Sequence, residues 1–282
     1  MKLIECPRDA MQGIQTFIST EKKVRYINKL LEVGFDTLDF GSFVSPKAIP
    51  QLRDTAEVLS NLKLTGTKLL AIAANTRGAE EASAHASISY LGFPLSISET
   101  FQQRNTNKSI SEALSTLDEI QQICARNNKT LVTYISMGFG NPYGDPYSID
   151  HVLNMTDVLA TMGITIISLA DTIGVSQPNQ IKTLYSTVVE KFPSIEFGAH
   201  LHSSPQKALE KIEAAFEAGC QRFDGAIKGF GGCPMAEDEL VGNLATETIL
   251  GYLDSRSASP ILNRAAFAEA MKIADDVFAH LQ

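Results

Sequence analysis

The chain has 282 residues, 44% of them hydrophobic and 20% charged, which is long enough and apolar enough to bury the core of one large α/β domain. Its 24 basic and 32 acidic side chains leave a formal charge of -8, which argues against a basic footprint for nucleic acid or anionic lipid. No run approaches the ~20 apolar residues of a membrane-spanning helix, and MKLIECPRDAMQG carries no apolar leader, so a soluble, cytoplasmic protein is expected.

Short β-rich runs alternate with amphipathic helical runs from the first residues onward. A strand from Leu3 to Cys6 leads directly into Pro7, Arg8 and Asp9. The pattern from Glu21 to Val33, with Ser19 or Thr20 as its cap and Gly34 after it, predicts a helix, and Thr37 to Phe40 follows as a strand. Strands are then expected over Lys68 to Ala73 and Ala86 to Leu91, a helix over Ser111 to Arg126, and a strand over Thr130 to Ser136. Gly163 marks a helix end before a strand from Thr165 to Leu169. A helix over Pro178 to Lys191 precedes a strand from Glu196 to His202. A helix over Pro205 to Ala218, closed by Gly219, precedes the last strand, Arg222 to Ala226. The segments LLEVGFDTLDF, LATMGITIISL and AFEAGCQRFDG repeat one unit of helix, glycine and strand.

Eight such units predict an α/β fold, a closed (β/α)8 or TIM barrel that occupies residues 1–282 as one domain with C-terminal helices, since no Pro/Gly/Ser-rich linker interrupts the chain. An open doubly wound sheet is the other arrangement, but it would want a GxGxxG turn after its first strand, and CPRDAMQG has none. In a barrel the active site sits at the C-terminal ends of the strands, so polar residues there carry the most information.

The seventh strand ends in Gly198-Ala199-His200-Leu201-His202. Two imidazoles two residues apart on a strand point to one face, here the barrel interior. With a carboxylate from a neighbouring strand end they suit a divalent cation of the magnesium, manganese or zinc type. Taken alone, Asp9 reads as a helix cap or turn residue, Asp171 in LADTIG as a cap of the next helix, Arg8 as a surface ion-pair partner and Asn243 in VGNLATE as an N-cap. The four cysteines, Cys6, Cys124, Cys220 and Cys233, show no paired spacing, so reduced thiols are expected. Cys233 stands apart because it falls in a glycine-dense loop, Lys228-Gly-Phe-Gly-Gly-Cys-Pro234, where a thiol can enter a site as a general acid.

The segments PRDAMQ (7–12), SFVSPKAIPQLRD (42–54), SISETFQQRNTNKSI (96–110), LADTIGVSQP (169–178), HLH (200–202) and GFGGCPMAEDELVGNLATE (229–247) resemble those of the 3-hydroxy-3-methylglutaryl-CoA lyase family, in the family's order and over most of the chain. SFVSPK and GGCP followed by GNLATE are the specific signals, whereas the RD pair and HxH also occur in related aldolases and acyl-CoA condensing enzymes. The resemblance implies a metal-dependent carbon-carbon lyase on a (β/α)8 barrel, using Mg2+ or Mn2+ to cleave a branched 3-hydroxyacyl-CoA thioester to acetyl-CoA and acetoacetate, as in leucine degradation. It implies that Asp9, His200, His202 and Asn243 are metal ligands, that Arg8 supports the thioester enolate, and that Cys233 lies on a mobile catalytic loop. Asp39 and Asp171 are expected to act with them, and a homo-oligomer is left open.

Three departures stand out. Where the family follows its HxH with Asp and a small polar residue, this chain has Ser203 and Ser204, which removes a carboxylate beside the metal. Asp39 stands where Glu is common, and the first loop reads RDAMQGIQ where RDGLQNE is usual. The alternatives are a condensing transferase or aldolase of the same barrel acting on a 2-oxo acid, which the GGCP loop disfavours, and a drifted non-catalytic homologue, which the retained Arg8, Asp9, histidines, Cys233 and Asn243 disfavour.

Overall fold

The eight strand-forming runs close into one parallel barrel, each strand hydrogen-bonded to the next and the eighth returning to the first. The computed structural model describes residues 1–232 and 241–279. In chain order the elements are β1 (Lys2–Glu5), α1 (Pro7–Gln12), α2 (Thr20–Val33), β2 (Thr37–Ser42), α3 (Thr55–Ser60), β3 (Lys68–Ile72), α4 (Thr76–Ser83), β4 (Ile88–Ser96), α5 (Glu99–Thr106), α6 (Ile110–Arg126), β5 (Thr130–Ser136), α7 (Ile149–Thr161), β6 (Ile166–Asp171), α8 (Pro178–Lys191), β7 (Glu196–Leu201), α9 (Pro205–Glu217), β8 (Arg222–Gly225), α10 (Thr246–Ser255) and α11 (Arg264–Val277). Among the described residues no helix is long and apolar enough to cross a membrane.

Local chemistry sets most of these boundaries. Ser19 accepts the amide of Lys22 at the start of α2, and Gly34, in the left-handed region at φ 86°, ends it. Ser109 and Glu112 cap each other reciprocally at the start of α6. The largest departure from the sequence reading is β4, which runs on to Ser96 through Gly92 and Pro94, residues that suggest a strand end. Gly92 lets the neighbouring strand pack closely, since a Cβ would stand 2.5 Å from Ile72 Cδ1 and displace that side chain. The second departure is α1, which begins at Pro7 immediately after β1 and holds Arg8 and Asp9 in its first turn.

Most buried apolar side chains lie between the barrel and the helices, including Leu3, Leu38, Leu69, Leu91, Leu131 and Phe223. A second, smaller cluster of Leu70, Ile72, Tyr90, Val132, Tyr134 and Ile166 fills part of the barrel lumen. Burying a side chain of this size stabilises by roughly 1.5–3 kcal/mol, so the two clusters together hold the strand ends rigidly enough to place a site.

Candidate active site

Arg8 and Asp9 project from α1, His200 from β7 and His202 just beyond it, and all four line one cleft of about 700 Å³ at the C-terminal mouth of the barrel. Ligand atoms of Asp9, His200 and His202 all lie within 4.8 Å of one another, and the three residues are buried. The two imidazoles approach with their Nε2 atoms 3.4 Å apart, as the alternation along a strand requires.

Asp9 is the hub. Its Oδ1 accepts from Arg8 at 2.8 Å and from Gln12 Nε2 at 2.9 Å, and its Oδ2 accepts from Asn243 Nδ2 at 2.7 Å. Burial pushes the Asp9 carboxyl up, but Arg8, His200, His202 and the Asn243 hydrogen bond outweigh it and hold it at about 2. Burial alone would lower His200, yet the hydrogen bond to Asp224 and the charge of Asp9 raise it. Burial and the neighbouring His200 push His202 down to about 4, so it is a neutral imidazole with a lone pair to give. Its Nδ1 is buried without a hydrogen-bond partner among the described residues.

Asn243 is no helix cap. It pairs with His202 as a short β-bridge after β8, while Ala245 takes the N-cap position of α10. Its amide group donates to Asp9 and to the Phe230 carbonyl at 2.9 Å, which leaves Oδ1 turned to other use. The chain reaches it through Gly231, at φ 99°, where a Cβ would stand 2.7 Å from Asn243 Nδ2 and 2.8 Å from the Asp9 carbonyl. Only glycine fits between two members of this group.

Arg8 is a buried cation and not a surface partner. Its Nε and NH2 grip Asp39 at 3.0 and 2.6 Å while NH1 turns to Asp9 and Gln12. The shorter aspartate side chain at position 39 therefore does reach the guanidinium. Burial would lower Arg8, but Asp39 and Asp9 raise it above the ordinary arginine range, so it is cationic at every working pH. Burial raises Asp39 despite Arg8, and its carboxylate does not line the cleft.

Asp171 corrects the sequence reading in a similar way. It caps no helix, since Gln177 is the N-cap of α8. Its Oδ1 accepts from Val175 N at 2.9 Å, and its Oδ2 from Ser176 Oγ at 2.5 Å and Lys211 Nζ at 2.7 Å. Lys211 also donates to the carbonyls of Gly174 and His202, both at 2.9 Å. Asp171 is thus saturated behind the cleft, where with Lys211 it anchors the backbone of His202. Asp39 and Asp171, grouped by the sequence with the reacting residues, lie outside the cleft lining, each paired with a buried cation.

Sequence reasoning passed over Lys211, Gln12, Asp224 and Arg222. Lys211 had a signal, because it falls on the buried face of α9 with Ala208, Ile212 and Ala215. Asp224 had one too, two positions after Arg222 on the same strand face. The thiol Cys233 lies outside the described residues. Cys6, Cys124 and Cys220 are buried, and burial first of all raises all three thiols, Cys124 and Cys220 to about 12.

The gathered carboxylate and two imidazoles, with the Asn243 amide beside them, suit a divalent cation, and among the described residues the orphaned Nδ1 and short imidazole contact show polar groups gathered without full mutual satisfaction. Residues 3–277 match the HMGL-like family model. Hydroxymethylglutaryl-CoA lyase YngG of Bacillus subtilis is 36% identical over 88% of this chain and 83% of its own length. The solved HMG-CoA lyase of Bacillus subtilis superposes with a TM-score of 0.91 at 33% identity, over 98% of this chain and 92% of that one. An HMG-CoA lyase from Acenitobacter baumannii, in complex with coenzyme A and 3-methylmalate, superposes with a TM-score of 0.92 at 29% identity, over 99% of this chain and 91% of that one.

Proposed function

From the premise that the chain belongs to the HMGL-like family, we propose that it is a carbon-carbon lyase that cleaves 3-hydroxy-3-methylglutaryl-CoA to acetyl-CoA and acetoacetate. The observation that carries this reading is the convergence of Asp9, His200 and His202 beside the buried Arg8 in one cleft.

Asp9, His200, His202 and Asn243 would hold a divalent cation, Mg2+ or Mn2+. When bound, such an ion acidifies the C3 hydroxyl of the substrate and fixes its orientation. The protein's own groups supply the rest. Asp9 and the neutral His202 face the cleft as acceptors for the hydroxyl proton. Breaking the C2–C3 bond leaves an electron pair on the thioester as an enolate, and Arg8 offsets that charge. Its orientation is set by Asp39 behind it, so little reorganisation is needed as the charge develops. Cys233 protonates the enolate carbon to give acetyl-CoA. Asp171 and Lys211 hold the His202 backbone and touch no reacting atom. Phe17, Arg53, Phe101 and Lys108 also line the cleft and offer aromatic and basic groups for a coenzyme A arm. A cytoplasmic role in leucine degradation suits this chemistry.

Incubating the protein with Mg2+ and a panel of 3-hydroxyacyl-CoA esters, with acetoacetate and free thiol assayed separately, tests the reading. Acetoacetate without thiol release supports the lyase. In a parallel incubation with acetyl-CoA and a 2-oxo acid, thiol release in step with consumption of the 2-oxo acid would instead identify a condensing enzyme.

A further inference from the structure

The lumen beneath the candidate ligands is charged, although barrel interiors of this type are ordinarily filled by branched apolar side chains. Arg222, fully buried at the start of β8, extends NH1 to Glu196 Oε1 at 3.3 Å. Glu196 also receives Lys2 Nζ at 2.5 Å, near the N-terminal face of the barrel. On its other side, Arg222 Nε lies 3.9 Å from Asp224 Oδ1. Asp224 Oδ2 then meets His200 Nδ1 at 3.2 Å and Ser168 Oγ at 3.3 Å. Gly198 makes room for this file of charges, since a Cβ there would stand 3.0 Å from Arg222 Cδ and 2.8 Å from Ser168 Oγ.

Such burial is expensive, on the order of several kcal/mol per ion before pairing. Among the described residues Arg222 Nε and NH2 and Asp224 Oδ1 also lack hydrogen-bond partners, so the file is not explained by fold stability. Its effect falls on His200. The two nitrogens of that ring face opposite ways, Nδ1 toward Asp224 and Nε2 toward His202 and the Asp9 group. An imidazole that donates its Nδ1 proton to a carboxylate presents a lone pair at Nε2. His202 has no such support, because its Nδ1 is unpartnered and Ser203 gives its hydroxyl to the Ser204 carbonyl. Among the described residues Asp224 is the one carboxylate hydrogen-bonded to either imidazole.

We propose that Asp224, with Arg222 behind it, is a positioning residue that fixes His200 as its Nδ1–H tautomer and so sets the affinity of the cation site. The proposal rests on Asp9, His200 and His202 being ligands. Binding of Mn2+ alone, followed by electron paramagnetic resonance on the full chain without thioester, gives the first measurement. Asp224→Ala should weaken Mn2+ binding by roughly 10–100-fold, with Asp224→Asn and Arg222→Met affected in the same direction but less. The second measurement is the 15N imidazole spectrum of metal-free protein, with His200 assigned by its loss in His200→Asn. In alkaline buffer, where His200 is neutral, the parent should show Nδ1 protonated and Nε2 bare, and Asp224→Asn, which preserves shape if Asp224→Ala fails to fold, should show a mixture of tautomers. Folded Asp224 variants with the parent's Mn2+ affinity and the parent's His200 spectrum would overturn the proposal. A parent chain that binds no Mn2+ would overturn the ligand assignment as well, whereas a chain that binds Mn2+ but cleaves no thioester would overturn the lyase reading alone.

Discussion

The two walls of the barrel lumen are built from different chemistry. The wall formed by β7, β8 and β1 carries Glu196, His200, Arg222 and Asp224, and α1 adds Arg8 and Asp9 at its upper edge. The wall formed by β3 to β6 carries Leu70, Ile72, Tyr90, Val132, Tyr134 and Ile166. Both face the same cleft, in which Ile72, Pro94 and Tyr134 stand opposite Arg8, Asp9 and His200. A largely apolar wall lowers the local dielectric and strengthens the interactions on the charged side, although Ser136 and Thr172 add hydroxyls to the cleft. The difference teaches where to look for large effects: substitutions on the charged wall should be felt in the reaction, and those on the apolar wall in packing.

The largest effect is expected at Arg8. Arg8→Met should reduce kcat and kcat/KM together by roughly 10³-fold with KM nearly unchanged, the signature of an interaction made in the transition state. Steady-state kinetics decide it, and an unchanged kcat would remove Arg8 from the reaction. Next comes Cys233→Ser, which should keep the fold and lose roughly 10²-fold or more in turnover, since a hydroxyl is a far weaker acid than a thiol. Alkylating reagents should inactivate the parent and Cys6→Ser alike, because Cys6 is buried and its thiol is raised well above its ordinary range by burial and then by Asp224. Inactivation that disappears only in Cys6→Ser would reverse that assignment.

Third is Lys211→Met, which leaves the Asp171 carboxylate buried beside the His202 backbone without its cation. Breaking a buried pair in this way destabilises by about 3 kcal/mol or more, which urea denaturation should register; a shift below about 1 kcal/mol would mean that Asp171 is held by Ser176 and Val175 alone.

The fourth prediction concerns pH. Burial, opposed by hydrogen bonds from Thr246 and the Ile227 amide, raises the Glu5 carboxyl to about 8 from an ordinary 4.5. The folded chain then holds a proton between these values that the unfolded chain has lost, so Glu5 contributes its stability fully below about 4.5 and loses it as pH rises through about 8. Denaturant midpoints of the parent relative to Glu5→Gln should therefore fall steadily from pH 5 to pH 8, and parallel curves would show Glu5 ionised in the fold. The smallest effect belongs to the apolar wall. Tyr134→Phe removes a buried hydroxyl that has no hydrogen-bond partner among the described residues, so stability should change by less than about 1 kcal/mol. A large loss there would mean that the apolar wall carries a polar contact of its own.

Much of this arrangement was readable from the chain. Alternation along β7 placed His200 and His202 on one face, and glycine after helical runs marked the ends of α2 and α9 closely. The strands near Thr37, Lys68, Thr130, Glu196 and Arg222 fell where β-rich runs predicted them. What was not readable depends on contacts between distant segments. Asn243 reads as a cap because asparagine commonly is one, and only the bridge to His202 reveals otherwise. Asp171 reads as available until Lys211, from another helix, saturates it. Arg222 carries no signal of its own, because nothing local says that Gly198 opens a space for it across the lumen.

The seam of the barrel has a consequence for how the chain folds. Lys2 pairs with Arg222 and Glu5 with Gly225, so closure joins the first strand to the last. The shell closes over the same seam, where Asn263 donates to the Val33 carbonyl and Lys29 meets Glu269 at 2.7 Å. Loops of this span make closure a late, slow event, and a chain emerging from the ribosome cannot complete it until the eighth strand has been synthesised. Asp9 stands on one side of that seam, with His200 and Asn243 on the other. The group proposed to hold the cation is therefore assembled across this seam, and the onset of Mn2+ binding during refolding would time the closure of the barrel.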